Sequence, residues 1–344
     1  MWYCTREAVK AALDSAETAR NDGQVDRAIE SGSRNIEALC HRRFYPQTAT
    51  RYFSWPNDQH ARPWRLWLDA DEVISVTTLV AGGTTIAGAD YFLEPVNSGP
   101  PYTSVEIDLS SSAAFSAGQT FQRAISIAGV FGYTADEDPA GATAEALDDS
   151  ETGVDVTDSS LVGVGSIIRV ESERMIVTGR SMLDTGQNTS ALTASTSSVS
   201  ITGITAGTIA VGEVLAIDSE RMLVVDVAGT TVTVKRAWDG TVLATHALNA
   251  DIYALRTLTV ERGALGTTAA THSTASDVYT HRPPALVRDL AIAEAINQLQ
   301  QETSGYARVI GEGDAAREGI GRGLLDLRRD VATAHGRKAR VRAV

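Results

Sequence analysis

Apolar and polar positions change their spacing twice along this chain. Between residues 5 and 44, Val25, Ile29, Ile36, Leu39 and Cys40 fall on a helical repeat, with Arg27, Glu30, Arg34 and Glu37 on other faces. The pattern predicts two helices. Thr5 suits an N-cap for the first, Asn21-Asp-Gly23 separates them, and Pro46 stops the second. From Arg51 to Tyr133 the period becomes two. Trp64-Arg-Leu-Trp-Leu68, Val73-Ile-Ser-Val-Thr-Thr-Leu-Val80, Tyr91-Phe-Leu-Glu94, Ser104-Val-Glu-Ile-Asp108 and Ala124-Ile-Ser-Ile-Ala128 read as strands of a small antiparallel unit. Gly82-Gly83 marks a hairpin within it. Helical spacing returns after Pro283-Pro284, where Leu286, Leu290, Ala293, Ile296 and Leu299 recur three or four apart. Gly311, Gly313, Gly319, Gly321 and Gly323 then lead to a short amphipathic segment, residues 324–331.

The middle of the chain holds one motif and a second copy nested inside it. Val164-Gly-Ser-Ile-Ile-Arg-Val-Glu-Ser-Glu-Arg-Met-Ile-Val177 recurs as Val211-Gly-Glu-Val-Leu-Ala-Ile-Asp-Ser-Glu-Arg-Met-Leu-Val224. Thr233-Val-Lys-Arg236, Gly240-Thr241, Ala244-Thr-His246, Asp251 and Tyr253 recur as Thr259-Val-Glu-Arg262, Gly266-Thr267, Ala270-Thr-His272, Asp277 and Tyr279. The order is front, front, back, back, so the second copy is continuous and interrupts the first. Thr, Ser, Val and Gly dominate, which predicts all-β modules. Half a copy cannot bury its apolar face alone, so the outer halves must be brought together, either across the inner copy or by swapping a strand with a neighbouring subunit. The predicted organisation is a host of residues 1–135 and 283–336 around an insert of residues 148–282. Within the insert the outer module is 148–187 with 257–282 and the inner module is 188–256. Residues 337–344 form a basic tail.

Composition narrows the function. The net charge is −13 with a pI near 4.9, against a protein that grips nucleic acid by charge neutralisation. No apolar run approaches the ~20 residues that span a bilayer, and no secretory leader is visible, so no membrane partner and a cytosolic origin are expected. Cys4 and Cys40 cannot frame a chain of 344 residues and read as small buried hydrophobes.

Candidate chemistry is thin. Asp69, Asp71 and Glu72 crowd together, but without a positioned His they read as a polar turn rather than an acid/base pair. The acidic turns at Glu171-Ser-Glu173 and Asp218-Ser-Glu220 offer oxygen ligands, yet each runs into an Arg and lacks the spacing of a calcium loop. His246 and His272 stand at equivalent repeat positions, which predicts a turn-capping hydrogen bond in each module. Gly311-Glu-Gly313 follows no strand and lacks a Gly-Lys-Thr ending, so flexibility is preferred to phosphate binding. No catalytic group, cofactor or metal site is expected. Tyr52, Phe53, Trp55, Trp64 and Trp67 either fill a core or, with Arg51, Arg62 and Arg65, form a subunit interface. Arg337, Lys338, Arg340 and Arg342 follow the last acidic residue and form either a solvated tail or an arm for an acidic partner.

With the insert removed, Ile125-Ser-Ile-Ala-Gly-Val-Phe-Gly-Tyr133 leads straight into Pro283-Pro-Ala-Leu-Val-Arg-Asp-Leu-Ala-Ile-Ala293. That order resembles the head–tail connector (adaptor) proteins of long-tailed bacteriophages. The shared features are Ile36-Glu-Ala-Leu-Cys-His-Arg-Arg-Phe44, an aromatic–Arg strand, Val73-Ile-Ser-Val-Thr-Thr-Leu79, Tyr91-Phe-Leu93, and Gly132-Tyr133 before Pro-Pro and a helix. The likeness covers roughly residues 1–135 and 283–330, and the nested insert departs from it. The resemblance implies an α+β fold, a helical connector core with a small antiparallel β unit, to which this chain adds an inserted all-β region of two nested repeat modules. It also implies a non-enzymatic structural virion protein at the head–tail junction, assembled in the host cytoplasm. Its partners would be further copies in a ring, commonly of twelve, the portal protein above, and a head-completion (stopper) or tail protein below. DNA would pass through the channel without sequence-specific binding. The second reading is a virion surface or tail-associated binding protein whose β modules contact a partner or glycan.

Overall fold

The computed structural model describes residues 1–13, 22–56, 62–303, 309–310, 317–318 and 322–338. The chain forms two compact units. One is Met1–Ile36 with Glu137–Arg329; the other is Glu37–Asp136 with Asp330–Val344.

Helix α1 spans Arg6–Ala12 and α2 spans Asp22–Cys40. The Thr5 hydroxyl accepts from Ala8 N at 3.1 Å and satisfies one of the free amides at the start of α1. The second unit then builds β1 (Gln47–Phe53), β2 (Arg65–Trp67), β3 (Val73–Ala81), β4 (Thr84–Ile86), β5 (Tyr91–Glu94), β6 (Ser104–Ile107) and β7 (Ile125–Phe131). They form two antiparallel sheets, in the orders β1-β7-β3-β4 and β2-β6-β5. Alternation along β7 turns Ile125, Ile127 and Phe131 into a core shared with Trp55, Leu66, Leu68, Leu79, Val105 and Phe115. At its centre Gly129 faces the twice-bulged β3, where a Cβ would stand 2.1 Å from the Ser75 carbonyl oxygen.

The first unit contains β8 (Glu137–Ala142), β9 (Gly153–Asp155), β10 (Ile167–Val170), β11 (Glu173–Asn188) and β12 (Ser200–Thr202). It continues with β13 (Val214–Ile217), β14 (Glu220–Ala228), β15 (Thr231–Lys235), β16 (Asp251–Glu261) and β17 (Asp277–His281). These make one ten-stranded antiparallel sheet. Its pairings repeat. In the outer module β17 lies between β8 and β10, followed by β11, β16 and β9. In the inner module the start of β16 lies between the end of β11 and β13, followed by β14, β15 and β12. The two long strands β11 and β16 therefore serve both modules, and their ladder slips register as it passes from one to the other. The outer copy closes on its own two halves, with a further bridge between Leu147 and His272. Each module has its own apolar core, one around Ile168, Met175 and Leu258, the other around Leu215, Met222 and Ile252.

The chain continues through α3 (Ala285–Thr303), a two-residue strand pair β18 (Val309–Ile310) and β19 (Arg317–Glu318), and α4 (Arg322–His335). Helix α3 packs closely on α2 at Gly32, where a Cβ would lie 3.0 Å from Glu294 Cβ.

The predicted class, α+β with a helical connector core, is corrected by this architecture. The fold is mostly β, with a ten-stranded antiparallel sheet, two smaller sheets and about 22% helix. The reason lies in what fills the interior. The three apolar clusters described above are drawn from strands and loops, and the helices bury a smaller set of their own, including Val25, Ile29, Val287 and Leu290. Strand β7 in particular carries period-two burial, so it buries apolar surface against its neighbouring strands. Gly129→Ala is expected to destabilise the chain by more than about 2 kcal/mol in urea denaturation. A change within about 0.5 kcal/mol would show that β3 yields freely at Ser75.

Candidate functional site

Each β module is held by one buried carboxylate. In the inner module Glu220 stands at the start of β14, directly after a turn in which Asp218 takes a left-handed φ of 52°. Its side chain has no solvent exposure. Arg236 donates Nε to Oε1 and Nη2 to Oε2, each at 2.7 Å. Ala237 N and Ala244 N donate at 2.9 and 3.0 Å, and His246 Nε2 lies 2.9 Å from Oε2. An ionised carboxylate only accepts, so His246 donates from Nε2. The other ring nitrogen, Nδ1, faces Asp218 Oδ2 at 2.7 Å.

The outer module repeats the arrangement atom for atom. Glu173 accepts from Arg262 Nε and Nη2, both at 2.8 Å, and from Gly263 N and Ala270 N. His272 Nε2 completes the set at 2.8 Å, with Nδ1 3.2 Å from Glu171 Oε2. Both arginines also spend their remaining N–H groups on loop carbonyls: Arg236 on Thr193, Ser198 and Ala244, Arg262 on Asp148, Glu151 and Ala270. Burial alone would raise these carboxyls. Hydrogen bonds from the arginine, the histidine and two backbone amides outweigh it and hold both Glu173 and Glu220 at about 2.

A third buried pair occurs once, where the modules join. Glu213, fully buried in the inner module, receives Arg256 Nε and Nη2 at 2.8 and 2.7 Å, Ala210 N at 2.9 Å, and Ser159 N of the outer module at 3.1 Å. Arg180 adds to the same junction by donating to the Leu255 and Ser159 carbonyls.

The second unit offers an open site instead. A cleft of about 370 Å³ is lined by Arg42, Arg43, Arg51 and Arg337 together with Glu37, Asp71 and Glu72. Glu72 is buried and pairs with Arg42 at 2.9 Å and with Arg337 at 3.7 Å; Asp71 pairs with Arg51. Behind the cleft, Arg42 donates to the His335 carbonyl, and Tyr133 Oη lies 3.0 Å from His335 Nδ1. Burial and the neighbouring Arg42 push His335 below the ordinary histidine range.

These contacts relocate several predicted residues. Arg337 is fixed within its own unit, donating its backbone N–H to Cys40 O at 2.9 Å and Nη2 to Ala70 O at 3.1 Å, so it is not part of a free arm. Lys338 is exposed, while Arg340 and Arg342 lie outside the described residues, as do Gly311, Gly313, Gly319 and Gly321. Trp55 is a core residue beside Phe115, with ring centroids 5.0 Å apart, and offers no surface to a partner. Trp64 packs against the same core, and Trp67 is half-buried beneath Arg65. Arg51 lies over the Phe131 ring at 4.4 Å and also reaches the cleft. Of the predicted acidic cluster, Glu72 and Asp71 are consumed in ion pairs, and Asp69 makes a left-handed turn at φ 49°. The buried role of Glu173 and Glu220, each the centre of a knot of hydrogen bonds, was missed because a Glu beside a turn reads as solvated. The available signal was that Glu, Arg and His recur together at matching positions of both copies.

No protein-family model, curated protein or solved structure matches the chain.

Glu220→Gln leaves Arg236 buried without its counter-charge, and a loss of about 3–5 kcal/mol is expected in urea denaturation, with a similar loss for Glu173→Gln. A loss below about 1 kcal/mol would mean the knots are ornamental. The same carboxylates set an acid limit. Their folded pKa lies below the unfolded value, so their contribution is full above about 4.5 and is lost as pH falls towards about 2. Melting temperature should fall steeply across that window in the wild type and less steeply in the double Gln variant. Parallel profiles would contradict the assignment.

Proposed function

We propose that the chain is a non-catalytic structural protein of a bacteriophage virion, acting as a head–tail adaptor. Copies join into a ring between the portal and the next neck or tail component, and DNA passes through the channel. The observation that carries this reading is the ordered set of segments behind the resemblance. Of those segments, residues 37–44, 73–79, 91–93 and 132–133 belong to one compact unit, together with residues 330–338, while Ile36 and the helix after Pro283-Pro284 belong to the other. Tyr133 N donates to Arg43 O, Gly132 N to Glu72 O, and the C-terminal Arg337 reaches Cys40. A function that resides in a shared oligomeric surface needs such a rigid host more than it needs reactive groups. The acidic balance suits a channel that lets DNA slide, since few cations are available to hold phosphates.

A second reading is favoured by one difference between the modules. Val242 and Leu248 of the inner module are 80% and 65% exposed, whereas the equivalent outer positions hold Thr268 and Thr274. Apolar side chains at exposed positions that the sister module keeps polar suit a contact surface, in line with a tail-associated or surface-binding role for the inner module.

Size-exclusion chromatography with light scattering, followed by negative-stain imaging, tests the adaptor. Rings are expected, alone or on mixing with the portal protein. A monomer or trimer under every condition would contradict it.

A further inference from the structure

Charge is divided unevenly between the two compact units. Glu37–Asp136 with Asp330–Val344 carries eleven acidic and ten basic residues, and the remainder carries thirty-two and twenty. The first is nearly neutral, while the β-module unit holds −12 of the chain's −13. In the neutral unit, arginines converge on the 370 Å³ cleft, and their N–H groups exceed the acceptors there. Glu72 is divided between Arg42 and Arg337, Asp71 is taken by Arg51, and the Nε atoms of Arg42 and Arg337 have no hydrogen-bond partner. Arg43 is exposed. Its guanidinium approaches Gln47 Oε1 at 3.5 Å and makes no ion pair among the described residues. Gln47 Oε1 also lies 3.4 Å from Arg51, so one neutral oxygen serves two cations.

We propose that this cleft receives a carboxylate from the acidic β-module unit of a second copy, so that copies associate head to tail. A guanidinium binds a carboxylate through parallel N–H donors, and Arg43 has such donors to spare. Charge complementarity matches the near-neutral, arginine-lined unit of one copy to the strongly acidic unit of the next. A contact between unlike surfaces repeats from copy to copy and closes into a ring when the rotation allows. The inference rests on the ring-forming reading above and names the contact that would build the ring.

The test uses the full chain and light scattering over a concentration series, from about 0.1 to about 1 M NaCl. Wild-type association should weaken as salt rises. Arg43→Glu should raise the concentration needed for assembly at least about tenfold, while Arg43→Lys keeps most of it. Gln47→Glu is the more telling variant. It places a carboxylate of the chain's own between Arg43 and Arg51, and it should weaken association while leaving the melting temperature unchanged or higher. Circular dichroism checks that each variant folds. Assembly that persists unchanged in Arg43→Glu, in Gln47→Glu and in high salt overturns the cleft contact and leaves the ring reading standing. A wild-type chain that stays monomeric throughout, and also on mixing with the portal protein, overturns both.

Discussion

The β modules depend on a carboxylate that has no access to water. An ionised carboxyl taken out of water is strongly unfavourable unless its oxygens are fully satisfied. Glu173 and Glu220 each meet that demand with five hydrogen bonds, from two arginine nitrogens, two backbone amides and one histidine. The demand is also what orders the module. The two amides belong to a loop that must curl around the carboxylate, the arginine must anchor the surrounding carbonyls, and the histidine must reach back to the turn. In the outer module the partners are 89 residues apart in sequence, so the knot also joins halves that the inner copy separates.

Insertion at this point is physically mild. The inner module enters and leaves on β11 and β16, which already pair in the outer module, so the ladder is prolonged rather than broken. At the junction the Glu213–Arg256 pair of the inner module, with Ser159 and Arg180 of the outer, adds buried contacts between the two. The cores stay separate, each with its own Met and β-branched residues. An architecture of this kind adds a second module while leaving the unit of residues 37–136 and 330–344 with a core of its own.

Much of the element order was legible in the spacing of apolar residues. Period two located β3, β5, β6 and β7, and helical spacing located α2 and α3. The repeats located the modules because identical turns and strands must recur together. The fold class was misread for a specific reason. The resemblance lent weight to the helices, while the apolar residues that fill the cores, such as Leu66, Val105 and Ile127, lie on strands. The cleft was not legible at all, since Arg42, Arg43, Arg51, Glu72 and Arg337 come from four separate parts of the chain. Arg337 was read as tail because only sequence distance was visible; the structure supplies the Cys40 and Ala70 carbonyls that hold it. Composition left Trp55 open between a core and a partner surface, and it is enclosed with Phe115.

The measurement that bears most directly on the central claim is a double-mutant cycle on Glu220 and Arg236, using Glu220→Gln and Arg236→Met in urea denaturation. If the carboxylate and guanidinium organise the module as a unit, the two losses are strongly non-additive, with a coupling above about 1.5 kcal/mol. Additive losses, with a coupling within about 0.5 kcal/mol of zero, would contradict the account.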